Sequence, residues 1–350
     1  MHHDTTPEEA RVDLPEPRRL LARSGFGAAE PLFTADLKDA EDLAQAREVV
    51  AAHGSRLWTE ATRTGLDELD DRPLYWARLA LAARLRTWRP SFALDPAGRA
   101  DLMRVLEVES RGITDLDFPP GERWVRVVVT GFDPFRLDED PSCSNPSGAA
   151  ALDLNGWTFP VGRRTAVVRA AIFPVRWADF DDGLVEQALA EQHERAEAVL
   201  TLSRGRSGRF DLEVWNGAHR GGGADNLGVR RSGTIPVPGG GPQWTRTSLP
   251  TEQMARAAAG PVPVRVNTHV VEGDPQVERH DGPTPGSVAV RGSGGDYLSN
   301  EIAYRNTLLR DRSERGLPSG HVHLPKEQGA EILEQTRALV AAAAESALPE

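Results

Sequence analysis

From Trp124 onward the chain alternates short β-branched runs with helical stretches, and that alternation leaves few folds open. Trp124–Thr130 reads as a strand buried on both sides, as in a sheet covered on each face. Ser147–Leu154 follows as a short helix, Thr165–Ile172 as a strand, Ala178–Ala190 as a helix and Ala198–Leu202 as a strand. Val262–Val266 and Ser287–Val290 read as further strands, Ser299–Arg312 as a helix, His321–Leu324 as a short strand and Glu327–Leu348 as a long amphipathic helix. This order predicts the α/β class: a three-layer α/β/α sandwich around a mostly parallel or mixed sheet. Gly217–Gly241 and Glu272–Gly286 fit neither period and read as long loops, a length that often carries function.

The preceding section has a different texture and reads as all-helical. Leu37, Ala40, Leu43, Ala44, Val50 and Ala51 recur at helical spacing, and Gly54 is expected to end that run. A second helix starts near Pro73 and is stopped by Arg89-Pro90; a third spans Pro96–Val108. The many arginines and tryptophans share helix faces, as expected of core plus solvated surface, and suggest no chemistry. Phe118-Pro119-Pro120-Gly121 reads as a linker, dividing the chain into a helical region, 1–121, and an α/β domain, 122–350.

Composition narrows the function. A net charge of −11 argues against nucleic acid or an anionic membrane as a partner. Cys143 is the one cysteine, so intramolecular disulfides and cysteine-built metal sites are excluded, and it reads as a bystander thiol. No run has the length of a membrane span, and Met1–Arg11 is too polar for a signal peptide. The expectation is a cytoplasmic protein, or a secreted one if a leader has been removed, with a homo-oligomer left open.

Four stretches could carry chemistry. In Gly294–Arg310 a glycine-rich turn runs into Ser299 and then a helical pattern. Ser299 is expected at a helix N-terminus, where unpaired N–H groups favour negative charge; it reads either as a cap or as a nucleophile. Thr130-Gly-Phe-Asp-Pro-Phe135 follows the first strand, with Asn145-Pro-Ser147 soon after, and strand ends are where open α/β sheets bind ligands. Phe132 and Phe135 could line a small apolar pocket or pack on themselves. Glu213 sits in an apolar strand-like run, which suggests a pair with a histidine or a role as a base. His321 and His323 point to one face of a strand. No third ligand at supportive spacing accompanies them, so a metal is not expected, and one of them serves better as a general base for Ser299. The Gly221–Gly228 run matches no nucleotide-binding fingerprint, and no cofactor is expected.

In order, these stretches resemble the pyroglutamyl peptidase (pyrrolidone-carboxylate peptidase) family from about Val125 to Leu348. Val127–Phe135 is similar to its opening strand and G-F-x-P-F loop, Asn145-Pro-Ser147 to its N-P-S/A, and Phe173-Pro-Val-Arg-Trp177 to its L-P-V segment. Asp225-Asn226-x-Gly228 is similar to its P-D-N-x-G, Asp296–Asn300 with Tyr304 to its Y-V-C-N…Y, and Gly320–Pro325 to its G-F-I-H-V-P. Nothing before Arg123 takes part. The resemblance implies a peptidase removing an N-terminal pyroglutamyl residue through a Cys-His-Glu triad. Carried over, the nucleophile position is Ser299, the base His323 and the orienting acid Glu213. Phe132 and Phe135 would hold the lactam ring, with Asn145, Asp225 and Asn226 among the substrate-binding positions.

Three departures stand out. Serine replaces the nucleophilic cysteine, and a hydroxyl depends wholly on its base. The family's arginine before P-D-N falls near Gly222 in a triple glycine, which would remove a charge and a wall, with Arg220 the cation that could replace it. Glu213 stands one residue closer to Asp225-Asn226 than the family pattern. The expected function is therefore a hydrolase cleaving a small amide, pyroglutamyl or related, through Ser299, His323 and Glu213. The oxyanion would be held by backbone N–H groups of the Gly131–Asp133 turn and of the Ser299 helix start. Two alternatives stay open: a binding protein that has lost catalysis, or a biosynthetic acyl-transfer or cyclisation enzyme.

Overall fold

A computed structural model of the protein describes residues 5–63 and 70–348. The first four residues of the polar Met1–Arg11 stretch lie outside them. Seven strands form the main sheet: β1 (Trp124–Phe132), β2 (Thr158–Val161), β3 (Arg164–Phe173), β4 (Ala198–Arg204), β5 (Phe210–Glu213), β6 (Val264–Asn267) and β7 (Ser319–Leu324). Their order is β6-β5-β7-β4-β1-β3-β2. β1 pairs parallel with β3 and β4, β7 with β4, and β6 with β5, while β5–β7 and β2–β3 are antiparallel. The sheet is mixed, as expected.

The β-branched run of β1 shows why both faces must be covered. Val125, Val127 and Val129 join a core with the helices Pro146–Leu154 and Ala330–Glu345, whereas Val128 joins Phe180, Leu189, Leu298 and Ile302 on the opposite face. Successive side chains point to opposite faces, so one apolar run feeds two helix layers. The Ala178–Ala190 helix is two helices, Trp177–Asp181 and Leu184–Arg195, divided by Gly183 at φ 79°. The final helix is shorter than expected, Ala330–Glu345, and among the described residues no helix is long and apolar enough to cross a membrane.

The N-terminal section is helical, and its core includes Ala151, Leu152, Ala170 and Ile172 of the α/β part. Gly54 does not end a helix. Leu43–Thr62 runs through it, capped by Asp42, because a Cβ at position 54 would lie 2.7 Å from the Glu109 Cβ of the neighbouring helix Pro96–Ser110. The glycine marks a close helix crossing, not a terminus.

Charge also joins the two parts. Arg78 and Arg111, both buried, bind the two oxygens of buried Asp133, the second at 2.7 Å. Arg111 continues to Glu107 at 2.6 Å, and Arg176 links Glu107, Asp179 and Glu8. Burial alone would raise the Glu107 carboxyl, but Arg111 and Arg176 hold it well below the usual carboxylate range.

The two sections read as loops each carry short antiparallel strands between their turns. His219–Ala224 pairs with Arg230–Thr234, and Trp215–Gly217 pairs with Trp244–Arg246. Val270–Glu272 pairs with Val277–Arg279 and with Ala289–Arg291, which places the Ser287–Val290 strand outside the main sheet.

Candidate functional site

β5 and β7 bring Glu213 and His323 together. In their antiparallel register His321 faces Glu213 and His323 faces Asp211, so the glutamate reaches His323 diagonally on one face. His323 Nδ1 lies 2.8 Å from Glu213 Oε1. The glutamate is 2% exposed and the histidine 8%. A carboxylate can only accept, so Nδ1 carries the proton and leaves Nε2 with a free lone pair in the neutral ring. Among the described residues Nε2 has no hydrogen-bond partner.

Asn267, which sequence reasoning missed, completes this pair. It lies opposite Glu213 on the edge strand β6 and donates through Nδ2 to Glu213 Oε2 at 2.9 Å and to the Ser293 carbonyl at 2.8 Å. Both carboxylate oxygens are thereby fixed. An asparagine at a strand end carries no signal in the chain alone; only the register of β5 and β6 gives it a role.

His321 has a different duty. It is fully buried with its nitrogens 2.8 Å from the hydroxyls of Thr201 and Ser203, and burial lowers its pKa well below the ordinary value. Its ring meets that of His323 edge-on at 4.8 Å. With both nitrogens engaged it is a neutral packing partner. Among the described residues no group of three His, Cys, Asp or Glu side chains could hold a metal ion.

Ser299 is the second residue of the helix Leu298–Ser313, and Tyr297, not Ser299, occupies the cap position. The Ser299 hydroxyl donates to the Gly294 carbonyl at 3.2 Å and is not hydrogen-bonded to His323. Gly294 also packs against the His323–Glu213 pair: a Cβ there would lie 3.2 Å from His323 Cε1 and 3.4 Å from Glu213 Cγ. Gly295, at φ +97°, makes the turn that presents Ser299, and the Asn300 side chain pins the helix start to both backbone groups of Gly217 at 3.0 and 2.8 Å. The amides of Leu298, Ser299 and Asn300 are first-turn donors without intrahelical acceptors.

Ser299 lines a cleft with about 310 Å³ of empty space, part of it open to solvent. Phe132, Phe135, Asn145, Val175, Ser203, Arg204, Tyr297 and Leu298 form its other walls. Phe132 and Phe135 thus both reach it, though Phe132 is stacked on Phe180 with ring centroids 6.2 Å apart. Asn145 lies at its edge and spends its side chain on the Asp133 carbonyl and on Ser147.

The other expected substrate-binding residues do not wall the cleft. Asp225 accepts from the amides of Trp177, Leu227 and Val229, each at 2.9 Å, and so holds a turn. Asn226 donates to the Pro134 carbonyl at 2.9 Å and to Glu8 at 3.1 Å, tying the N-terminal segment to the Phe132–Phe135 loop. The Gly131–Asp133 turn is likewise spent: the Phe132 amide bonds to Ser147 Oγ and the Asp133 amide to the Phe173 carbonyl. Neither is free for an oxyanion.

The triple glycine does not widen the cleft either. A Cβ at Gly221 would fall 2.1 Å from Asp296 Oδ2, and one at Gly223 2.7 Å from the Tyr297 ring, so these glycines admit the turn that leads into Ser299. Arg220 does not replace a site arginine. It is buried with Glu301, Asp181 and the Trp177 ring.

Comparison with known proteins gives the following. Residues 1–107 match the family model of the PA0049 N-terminal domain, and residues 126–238 and 261–328 match that of the PA0049 C-terminal domain. The uncharacterized protein PA0049 of Pseudomonas aeruginosa is 29% identical over 443 residues, covering 91% of this chain and 80% of that protein. Among solved structures, the chain is similar to pyrrolidone carboxyl peptidase from the hyperthermophile Pyrococcus furiosus (22% identity, 64% of this chain and 100% of that one, TM-score 0.47). It is also similar to pyroglutamyl peptidase I from Bacillus amyloliquefaciens (19% identity, 63% and 94%, TM-score 0.45).

Proposed function

The chain belongs to the PA0049 family, and for this member we propose a hydrolase that cleaves a small amide through Ser299, His323 and Glu213. The observation that carries the reading is the 2.8 Å bond between Glu213 and His323, with Asn267 fixing the other carboxylate oxygen. In the neutral ring such a pair leaves Nε2 as the acceptor, which is what a serine nucleophile needs from its base. The order of the motifs from Val127 to Pro325 and the place of Ser299 in the lining of a cleft with two phenylalanines support the same reading. In it, Ser299 leaves the Gly294 carbonyl, gives its proton to His323 Nε2 and attacks the acyl carbon. His323 then returns the proton to the leaving amine. The first-turn amides of Leu298–Asn300, and not the Gly131–Asp133 turn, stabilise the oxyanion. The acyl group is pyroglutamyl or a relative of similar size.

Ser299→Ala tests this. Wild type should react with a fluorophosphonate at Ser299, and the alanine variant should fold normally yet neither react nor turn over amide substrate. A wild type inert to the reagent, or an alanine variant as active as wild type, removes the proposal. The hydrogen bond from Ser299 to Gly294 favours a second reading, a binding protein built on the same frame. An unreactive wild type that still binds small amides in the cleft would establish that one.

A further inference from the structure

We propose that Arg204 makes the cleft a site for an acyl group that carries a carboxylate. The inference rests on reading the cleft as the acyl pocket, and it names the substrate class.

The chain holds 52 acidic against 41 basic side chains, so an arginine readily finds a carboxylate. Nearby Arg209 pairs with Asp211, and Arg220 with Glu301. Arg204 differs. Among the described residues it forms no ion pair, and its one side-chain hydrogen bond is a weak one from Nη1 to Cys143 Sγ at 3.7 Å. It stands at the end of β4 as a wall of the cleft that Ser299 also lines. A guanidinium has five donors in a planar fork matched to a carboxylate. Most of that fork has no acceptor among the described residues.

The aromatic surface points the same way. The Arg204 guanidinium lies over the Phe135 ring, 5.2 Å from its centroid, and Phe132 is stacked on Phe180. Part of the surface a neutral ring would use is therefore taken. The cation–π contact also fixes the guanidinium in place before a ligand arrives, which lowers the entropic cost of binding. The cleft is small and partly open to solvent, which suits a short acyl chain whose charged end stays near water.

The probes are glutarate monoamide and the neutral glutaramide, titrated calorimetrically into the full chain and into its Ser299→Ala and Arg204→Met variants. The monoamide should bind wild type and Ser299→Ala at least about tenfold more tightly than glutaramide, as a charge-assisted fork contact gives. Arg204→Met, shown folded by circular dichroism, should lose that preference, and Arg204→Lys should recover part of it. Equal affinities for the two probes, binding of neither, or a preference that survives in Arg204→Met each overturn the proposal. The outcome is separable from the catalytic reading: failure of Ser299 to react with a fluorophosphonate sinks that reading and leaves the carboxylate preference standing.

Discussion

Exchanging Glu213 for glutamine keeps the size of the side chain and removes its charge. Glu213 now accepts twice, from His323 Nδ1 at 2.8 Å and from Asn267 Nδ2 at 2.9 Å. A carboxamide accepts on one end only. With its carbonyl toward His323, its NH₂ meets the NH₂ of Asn267, which the Ser293 carbonyl holds in place at 2.8 Å. Two donors then face each other where the parent side chain is 2% exposed, at a cost of ~1–3 kcal/mol for each unsatisfied group. With its NH₂ toward His323, that cost vanishes but Nδ1 must accept, so the ring proton moves to Nε2. The second arrangement is the more stable, and it removes the lone pair that would take the Ser299 proton. In a triad the wrong tautomer lowers the rate ~10⁴-fold, about 5.5 kcal/mol of barrier. The assay is the second-order rate of fluorophosphonate labelling at Ser299, with ¹⁵N NMR of the imidazole to report its tautomer. Glu213→Gln labelled within about tenfold of the wild-type rate, or still protonated at Nδ1, would refute the reasoning.

Two further outcomes concern stability. Gly54→Ala sets a methyl 2.7 Å from Glu109 Cβ; overpacking of ~1–3 kcal/mol outweighs a helix-propensity gain of ~1 kcal/mol, so urea denaturation should show a less stable protein, and a stabilised variant contradicts the close crossing. Burial pushes the Asp71 carboxyl up to about 8, against hydrogen bonds from Ser144 and Asn145 that lower it. A carboxyl raised in the folded state contributes stability that is full below its ordinary pKa and lost as pH rises through 8. Between about pH 5 and about pH 8 wild type should therefore lose stability relative to Asp71→Asn, and parallel urea midpoints would rule this out.

The alternation of β1, β3 and β4 with helices was legible because buried strands in a covered sheet are continuous apolar runs, as in Val125–Val129; the half-exposed edge strand β2 gave no such run. Gly54 misled because a glycine admitting a neighbouring helix looks the same in the chain as one ending its own. The glycine- and proline-rich sections looked like loops because their short strands, such as His219–Ala224, gain their shape from what packs on them, Asp296 and Tyr297. Glu213 and His323 were visible as polar groups in apolar strands. Asn267 and Arg204 were not: each has its place only through a register or a wall built by chain-distant segments. Asp225 and Asn226 show the opposite error, a recognisable motif whose side chains hold a turn and a junction.

Asp133, next to the cleft residue Phe132, draws both of its guanidinium partners, Arg78 and Arg111, from outside the α/β part. Severed within Phe118–Gly121, the C-terminal piece would keep a sequestered anion without its counter-ions beside Phe132, and the N-terminal piece would be left with two orphaned cations. The halves are thus not interchangeable modules. Shuffling the α/β part onto another partner would require a new supply of positive charge at that one aspartate, which binds the inheritance of the helices to that of the sheet.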